Sequence, residues 1–277
     1  MKLKYKHQRF QEDAARAVTD CFLGQPHYDG TSNFLVDQGV VNGKQDNNLF
    51  HVEGFANAPL EPDVPLRDNI RRVQTSFGLK PIDQLEGDGR TLTIEMETGT
   101  GKTFTYIKTM FELNKLYGWT KFIVVVPSIA IREGVLSSFD SMSEYFAQEY
   151  GKRIQYFVYN SKQLSKIDSF AADAGIHVMI INTQAFNTSL NEDKNKEGRA
   201  GDAAARIIFS RRDEFRSRRP IDILAATHPI MIIDEPQSVL GANKTNQTRK
   251  GLKLFNSLFK LLYSATHRKD DIANMVY

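Results

Sequence analysis

"TLTIEMETGTGKTFTY", Thr91 to Tyr106, decides how this chain is read. It opens as an apolar alternation through Leu92, Ile94 and Met96, breaks at two glycines, and resumes as a helix-like run after Lys102-Thr103. In an open parallel sheet, ligands bind beyond the carboxyl ends of the strands. A glycine-rich turn there lets backbone N–H groups point at an anion, and the following helix adds the partial positive charge of its N-terminus. Gly99 and Gly101 permit the close approach and the unusual dihedrals. Lys102 supplies a mobile cation for β- and γ-phosphates, and the Thr103 hydroxyl suits Mg²⁺. The stretch Thr98, Gly99, Thr100, Gly101, Lys102, Thr103 is therefore read as a nucleotide-phosphate loop, with ATP and Mg²⁺ as the expected ligands. The general pattern asks for glycine where Met96 stands, five residues before Gly101.

Working outward, β-rich runs alternate with helical ones. "TLTIEM", "KFIVVVP", "RIQYFVY", "IHVMII", "PIMIID" and "FKLLYS" are the strand candidates. Near-continuous apolar runs fit strands covered on both faces, and the alternation argues for a parallel α/β sheet with right-handed crossovers. In "KTFTYIKTMFELNKLYG", Phe104, Ile107, Phe111 and Leu116 fall roughly on one helical face. Upstream, Arg9 to Phe22 reads as a helix on the spacing of Phe10, Ala14, Ala17, Val18 and Cys21. Residues 24–89 are rich in Gly, Asn, Asp and Pro and are read as a surface insertion. It holds a β-hairpin turning at Asn42-Gly43 and a short helix capped by Asp68 and stopped by Gly78. Residues 187–226 form a second polar interruption, ending in Arg211, Arg212, Arg216, Arg218 and Arg219. These do not share one helical face and are read as a solvated end rather than a DNA contact.

A second acidic site follows strand "PIMIID". Hydrolysis at a phosphate loop needs an acid at a neighbouring strand end to hold Mg²⁺ through water, and a residue to orient or deprotonate the attacking water. Asp234 suits the first task and Glu235 the second. Charge is uninformative: 36 basic against 33 acidic residues, net +3, is too even to argue nucleic-acid binding. A single cysteine, Cys21, rules out an internal disulfide and fits a cytoplasmic setting. The N-terminus carries no apolar secretion segment, and no apolar run approaches membrane-spanning length. His228 and His267 lack partners at metal-ligand spacing, so no zinc site is expected.

Further strings complete a pattern. "FQEDA", "VVVPSIAIREGV", "INTQAF" and "SAT" (Ser264–Thr266) stand in the order of the first motor domain of superfamily-two helicases and translocases, which the chain resembles. A phosphate loop with Thr98 ahead of Gly99 and no first glycine is also that superfamily's form. Within it, "EMETGTGKT", "DEPQ" and "YSATH" followed by "ANMVY" resemble the Res subunit of type III restriction enzymes. A DEAD-box helicase would carry Asp-Glu-Ala-Asp where this chain has Asp234, Glu235, Pro236 and Gln237. The resemblance covers most of 91–277 and is thin over 24–89.

What the resemblance implies is a RecA-like P-loop NTPase domain, a mostly parallel sheet with helices on both faces. It implies that Gln237 senses the γ-phosphate and that Ser264 and Thr266 couple nucleotide state to DNA movement. Gln11 would read adenine, the alternative being an exposed polar residue of the first helix. Ser128, Arg132, Thr183 and Gln184 would contact the backbone of double-stranded DNA, and backbone contacts carry no base identity. The implied partner is a methyltransferase Mod subunit that recognises the DNA site. A second motor domain and a nuclease domain have no room in 277 residues. A shortened chain of this kind is expected to bind ATP weakly, hydrolyse it poorly and leave DNA uncut. Alternatives are another superfamily-two motor such as a type I restriction translocase, a non-catalytic binding module, and a small-molecule P-loop kinase.

Overall fold

The computed structural model describes residues 5–6, 8–28, 34–38, 40–41, 44–45, 51–185, 207–215, 217–242, 247–269 and 271–277. Helix α1 (Arg9–Asp20) comes first, followed by strands β1 (Phe34–Gln38), β2 (Val40–Val41), β3 (Lys44–Gln45) and β4 (His51–Phe55). β1 pairs antiparallel with β4, and β2 with β3 across Asn42-Gly43, so the expected hairpin region forms two small ladders. Asn42 and Gly43 themselves lie outside the described residues. Helix α2 (Leu66–Ser76) follows. Its N-cap position is Pro65, with Asp68 in the first turn rather than capping it, while Gly78 turns the chain with φ 70°.

The remaining order is β5 (Thr91–Glu95), α3 (Lys102–Tyr117), β6 (Lys121–Val126), α4 (Ile129–Tyr150), β7 (Ile154–Val158), α5 (Ser165–Ala172), β8 (Ile176–Asn182), α6 (Pro220–Ala226), β9 (Ile230–Asp234), α7 (Pro236–Val239), α8 (Gln247–Leu254) and β10 (Lys260–Ser264). The six strands from β5 to β10 make one parallel sheet in the order β5-β10-β9-β6-β8-β7. β6, β8 and β9 are buried along their whole length, as their unbroken apolar runs demand. Successive residues of β6 split between two cores: Phe122, Val124 and Val126 pack with α1 to α4, and Ile123 and Val125 with α5 to α8. The chain thus adopts the expected α/β class, a parallel sheet with helices on both faces.

Three expectations need correction. Within 24–89, Asn57, Ala58, Ile70 and Val73 are buried, so that span is not simply a surface insertion. Asn57 carries the reason: its side-chain amide accepts from the N–H groups of Thr120 and Lys121 and donates to the carbonyls of Lys121 and His228. One side chain so joins the entries to β6 and β9, and a buried amide satisfied four ways cannot be removed cheaply. Leu116 and Phe10 are exposed at 42% and 37%; α3 is buried on most of its surface, polar Thr105, Lys108, Thr109 and Asn114 included, and Leu116 falls with Lys115 on its remaining solvent-facing side. Arg218 is buried, not solvated: it pairs with Asp168 of α5 at 2.8 Å and stacks over the Phe215 ring. Arg219 pairs instead with Asp222. Arg216 and residues 187–206 of the polar interruption lie outside the described residues.

At the sheet's β5 edge, residues Asn274 to Tyr277 run alongside the strand. The Val276 N–H donates to Thr93 O, and the Glu95 N–H to Tyr277 O. Backbone groups that an edge strand would leave open are used there. Among the described residues no helix is long and apolar enough to cross a membrane.

Candidate nucleotide-binding site

β5, β9 and β10 end side by side at the carboxyl edge of the sheet, and each delivers part of the site. β5 runs out at Glu95, and the Met96 N–H is still held by Ser264 O of β10. Met96 is buried, which suits an apolar side chain on the last pleat before the turn. The loop then turns through Gly99 and Gly101, both left-handed at φ 82° and 85°. Gly101 is the N-cap of α3. A Cβ there would lie 2.6 Å from Gln11 Nε2, and the left-handed backbone favours glycine whatever the space. The first-turn amides of α3 have no partner within the helix, by the geometry of every helix start. With the macrodipole behind them they form an anion cradle.

Gln11 is a component of that cradle. It is buried, and its amide donates to Thr100 O at 2.9 Å. It is therefore not an exposed polar residue of α1. Thr100 is also tied back, its hydroxyl donating to Glu97 O at 2.6 Å. Thr98 and Gly99 are exposed, while Lys102 and Thr103 are half-buried at the head of α3.

The acidic strand end meets the loop. Lys102 Nζ lies 2.7 Å from Glu235 Oε1. Glu235 takes a left-handed backbone at φ 52°, uncommon for a non-glycine residue, with its N–H donating to Tyr263 O at 3.0 Å. Its other oxygen accepts from Gln237 Nε2 at 2.6 Å and from Ser264 Oγ at 2.9 Å. Ser264 Oγ also lies 2.9 Å from Gln237 Oε1 and receives the Thr266 N–H at 3.1 Å. Ser264 is fully buried, while Thr266 is exposed. Lys102 of the loop, Glu235, Gln237, Ser264 and Thr266 are thus one bonded unit.

The two acids are tuned in opposite directions. Burial, then the neighbouring Glu235 charge, pushes Asp234 up to about 6. Burial also acts to raise Glu235, but the bonds from Lys102, Gln237 and Ser264 outweigh it and hold that carboxylate below its ordinary value. Asp234 Oδ1 is buried with no hydrogen bond among the described residues. A buried carboxylate oxygen left without a donor, beside a phosphate cradle, fits the water shell of a hard divalent cation. Asp234 and Thr103 are the residues that would hold it.

The four candidate DNA-contacting residues divide. An open groove of about 700 Å³ lies beyond the ends of β6, β7 and β8, lined in part by Arg132, Tyr159, Asn160, Lys166 and Gln184. Arg132 and Gln184 border it, although Arg132 is also paired with Glu133 at 2.7 Å. Ser128 instead caps α4, accepting the Ile131 N–H at 3.3 Å, and the Thr183 hydroxyl donates to Pro127 O at 3.3 Å. Tyr159, Asn160 and Lys166 were not singled out in the sequence. They stand beyond an edge strand in no recognisable motif, so only the fold places them there. His267 sits near the site with its ring against Ile94 O at 3.1 Å, and burial lowers its pKa.

Comparison with known proteins identifies the family. The profile of the family described as "Type III restriction enzyme, res subunit" matches residues 67–269. The EcoP15I Res subunit of Escherichia coli is 31% identical over 228 residues, 76% of this chain and 22% of that protein. The EcoPI Res subunit of Escherichia phage P1 is 30% identical over 222 residues, with the same coverage of each. The StyLTI Res subunit of Salmonella typhimurium is 31% identical over 64% of this chain. The chain thus spans about a fifth of the length of the curated relatives it matches. Among solved structures, the SWI2/SNF2 ATPase core of Sulfolobus solfataricus in complex with dsDNA covers 73% of this chain and 32% of its own. It matches at 14% identity with a TM-score of 0.39, too loose to carry an argument.

Proposed function

The chain belongs to the family of type III restriction enzyme Res subunits, and from that premise we propose that it is the ATP-binding first motor domain of a DNA translocase. The observation that carries this reading is the 2.7 Å contact between Lys102 of the phosphate loop and Glu235 of the acidic strand end. A phosphate-binding cation and the residue expected to activate water are already in one place. Thr98 to Thr103 take the triphosphate and Gln11 braces the loop. Thr103 and, through water, Asp234 would hold Mg²⁺, which would supply charge that neutralises the triphosphate.

The chain's own residues then have separable tasks. A γ-phosphate competes with Glu235 for Lys102, because both are anions within reach of one flexible ammonium. Losing Lys102 frees an acceptor on Glu235 for the attacking water. Gln237 and Ser264, bonded to the same carboxylate, register that change and pass it toward Thr266 and the groove. That network is what a small-molecule kinase would not need. In the groove, Arg132 and Gln184 suit the backbone of double-stranded DNA. The whole-protein partner in this reading is a methyltransferase subunit that reads the DNA site, in the cytoplasm.

The test is a calorimetric titration of Mg²⁺-ATPγS into this chain, beside Lys102→Ala. Removing a charge-assisted contact of this type is expected to weaken binding by about 10- to 100-fold. Equal binding by both proteins would sink the assignment. Turnover by this chain alone is expected to be poor and unresponsive to duplex DNA, which a phosphate-release assay checks.

A further inference from the structure

Tyr106 lies one turn beyond Thr103 on α3 and is fully buried. No motif includes it. Its ring packs edge-to-face on Tyr263 of β10 at 5.7 Å, so its direction is set by the core. Tyr263 spends its own hydroxyl on Thr109, 3.1 Å away. The Tyr106 hydroxyl makes no hydrogen bond of good geometry among the described residues, and neither does Asp234 Oδ1. Buried polar groups without partners are rare, and each calls for a cause. The two lie in one neighbourhood: Tyr263, on which the Tyr106 ring packs, stands in register with Asp234 on the adjoining strand β9. Burial chiefly, and then the Asp234 charge, raise the Tyr106 pKa, while the Thr103 side chain, within looser hydrogen-bonding reach of the hydroxyl, lowers it. One buried hydroxyl therefore lies close to both residues assigned to the metal.

We propose that Tyr106 is a positioning residue for the divalent-ion half of the site, its hydroxyl donating into the water shell beside Asp234 and orienting that carboxylate. The inference rests on the nucleotide-site reading above. Groups behind a metal's ligands fix their direction and so set affinity. A tyrosine suits the position because its ring is a rigid core element and its tip is polar. Phenylalanine would keep the packing and remove only the donor.

The experiment measures ATPγS affinity with Mg²⁺ and with excess chelator, for the wild-type chain, Tyr106→Phe and Tyr263→Phe, with thermal midpoints for all three. The expected result is a loss of about tenfold in Tyr106→Phe that appears only with Mg²⁺. Its chelator-state affinity and midpoint should match wild type. Tyr263→Phe, which removes a hydroxyl committed elsewhere, should keep the Mg²⁺ response. An unchanged Mg²⁺ response in Tyr106→Phe overturns the proposal alone. So does an equal loss in Tyr263→Phe, which would make the effect one of packing. A wild-type chain that binds no nucleotide overturns the site reading itself, and this inference with it.

Discussion

The two ends of the large sheet each hold a lysine away from open solvent, half-buried at one end and fully buried at the other, and they hold it differently. At the carboxyl edge Lys102, with 12% of its side chain exposed, pairs with the Glu235 carboxylate. At the amino edge Lys121 is fully buried and donates to the carbonyl oxygens of Phe170 and Asp173, where α5 ends, with its ammonium over the Phe170 ring. Carbonyls at a helix end are fixed by the backbone. A carboxylate on a side chain can be exchanged for phosphate. Burial of a cation therefore says little about function, and the replaceability of its partner says more. The same contrast holds for neutral groups. At the amino edge Asn57 uses both its oxygen and its amide fully, whereas at the carboxyl edge Asp234 Oδ1 and the Tyr106 hydroxyl are left open.

The contrast breaks if a change at one edge acts like a change at the other. The largest effect is expected from Asn57→Ala, which strands two donors and two acceptors in the interior. It should cost on the order of 3 kcal/mol in urea unfolding, while the folded fraction binds Mg²⁺-ATPγS as wild type. Lost nucleotide affinity at undiminished stability would erase the distinction between the two edges.

Next comes Lys121. Burial pushes its pKa down from 10.5 to about 8, against the opposing pull of the Asp173 charge. Between those values the unfolded chain holds one more proton than the folded chain, so raising the pH makes unfolding harder. Wild type should gain stability relative to Lys121→Met across that window, by at most ~1.4 kcal/mol per pH unit. Urea unfolding of both proteins at several alkaline pH values reads it, and parallel curves would refute a buried, titrating lysine.

Asp234 should show the carboxyl-edge behaviour. A carboxylate must be deprotonated to serve a metal, and burial places this one near 6. The Mg²⁺-dependent part of ATPγS affinity should fall as pH drops through that value, by up to about tenfold per pH unit. Calorimetry with and without Mg²⁺ at acid and neutral pH separates this from general loss of the fold. The smallest effect belongs to Ser128→Ala. Loss of the α4 cap should lower stability by about 1 kcal/mol. A drop in duplex-DNA affinity beyond that of a control substitution would give Ser128 a second role.

Much of the site was readable before the fold. "TGTGKT" after an alternating strand, and "DEPQ" after "IMII", declare themselves because backbone geometry and phosphate chemistry demand those residue types at those short spacings. The resemblance to Res subunits rested on the same strings. Other residues gave no such signal. Asn57 stands in a Gly- and Pro-rich span with no period, and its task is to satisfy backbone groups of strands far along the chain. Arg218 belongs to a run of arginines that reads as solvated, yet an acid from α5 accompanies it inside. Gln11, already marked by the resemblance, reads from its helix alone equally as an exposed polar residue until the loop it supports is in place.

By itself, the sequence determined the α/β class, the strand-turn-helix with its glycine loop, and the acids at a strand end, because each is a local pattern within a few residues. Only the tertiary structure decided that Lys102 meets Glu235, that Ser264 and Gln237 share that carboxylate, and that Tyr106 packs on Tyr263, the strand neighbour of Asp234. The physical reason is the crossover order of the sheet. It sets β10 and β9 beside β5, so strand ends distant in the chain become neighbours at one edge, and hydrogen-bond partners at that range leave no periodicity to read.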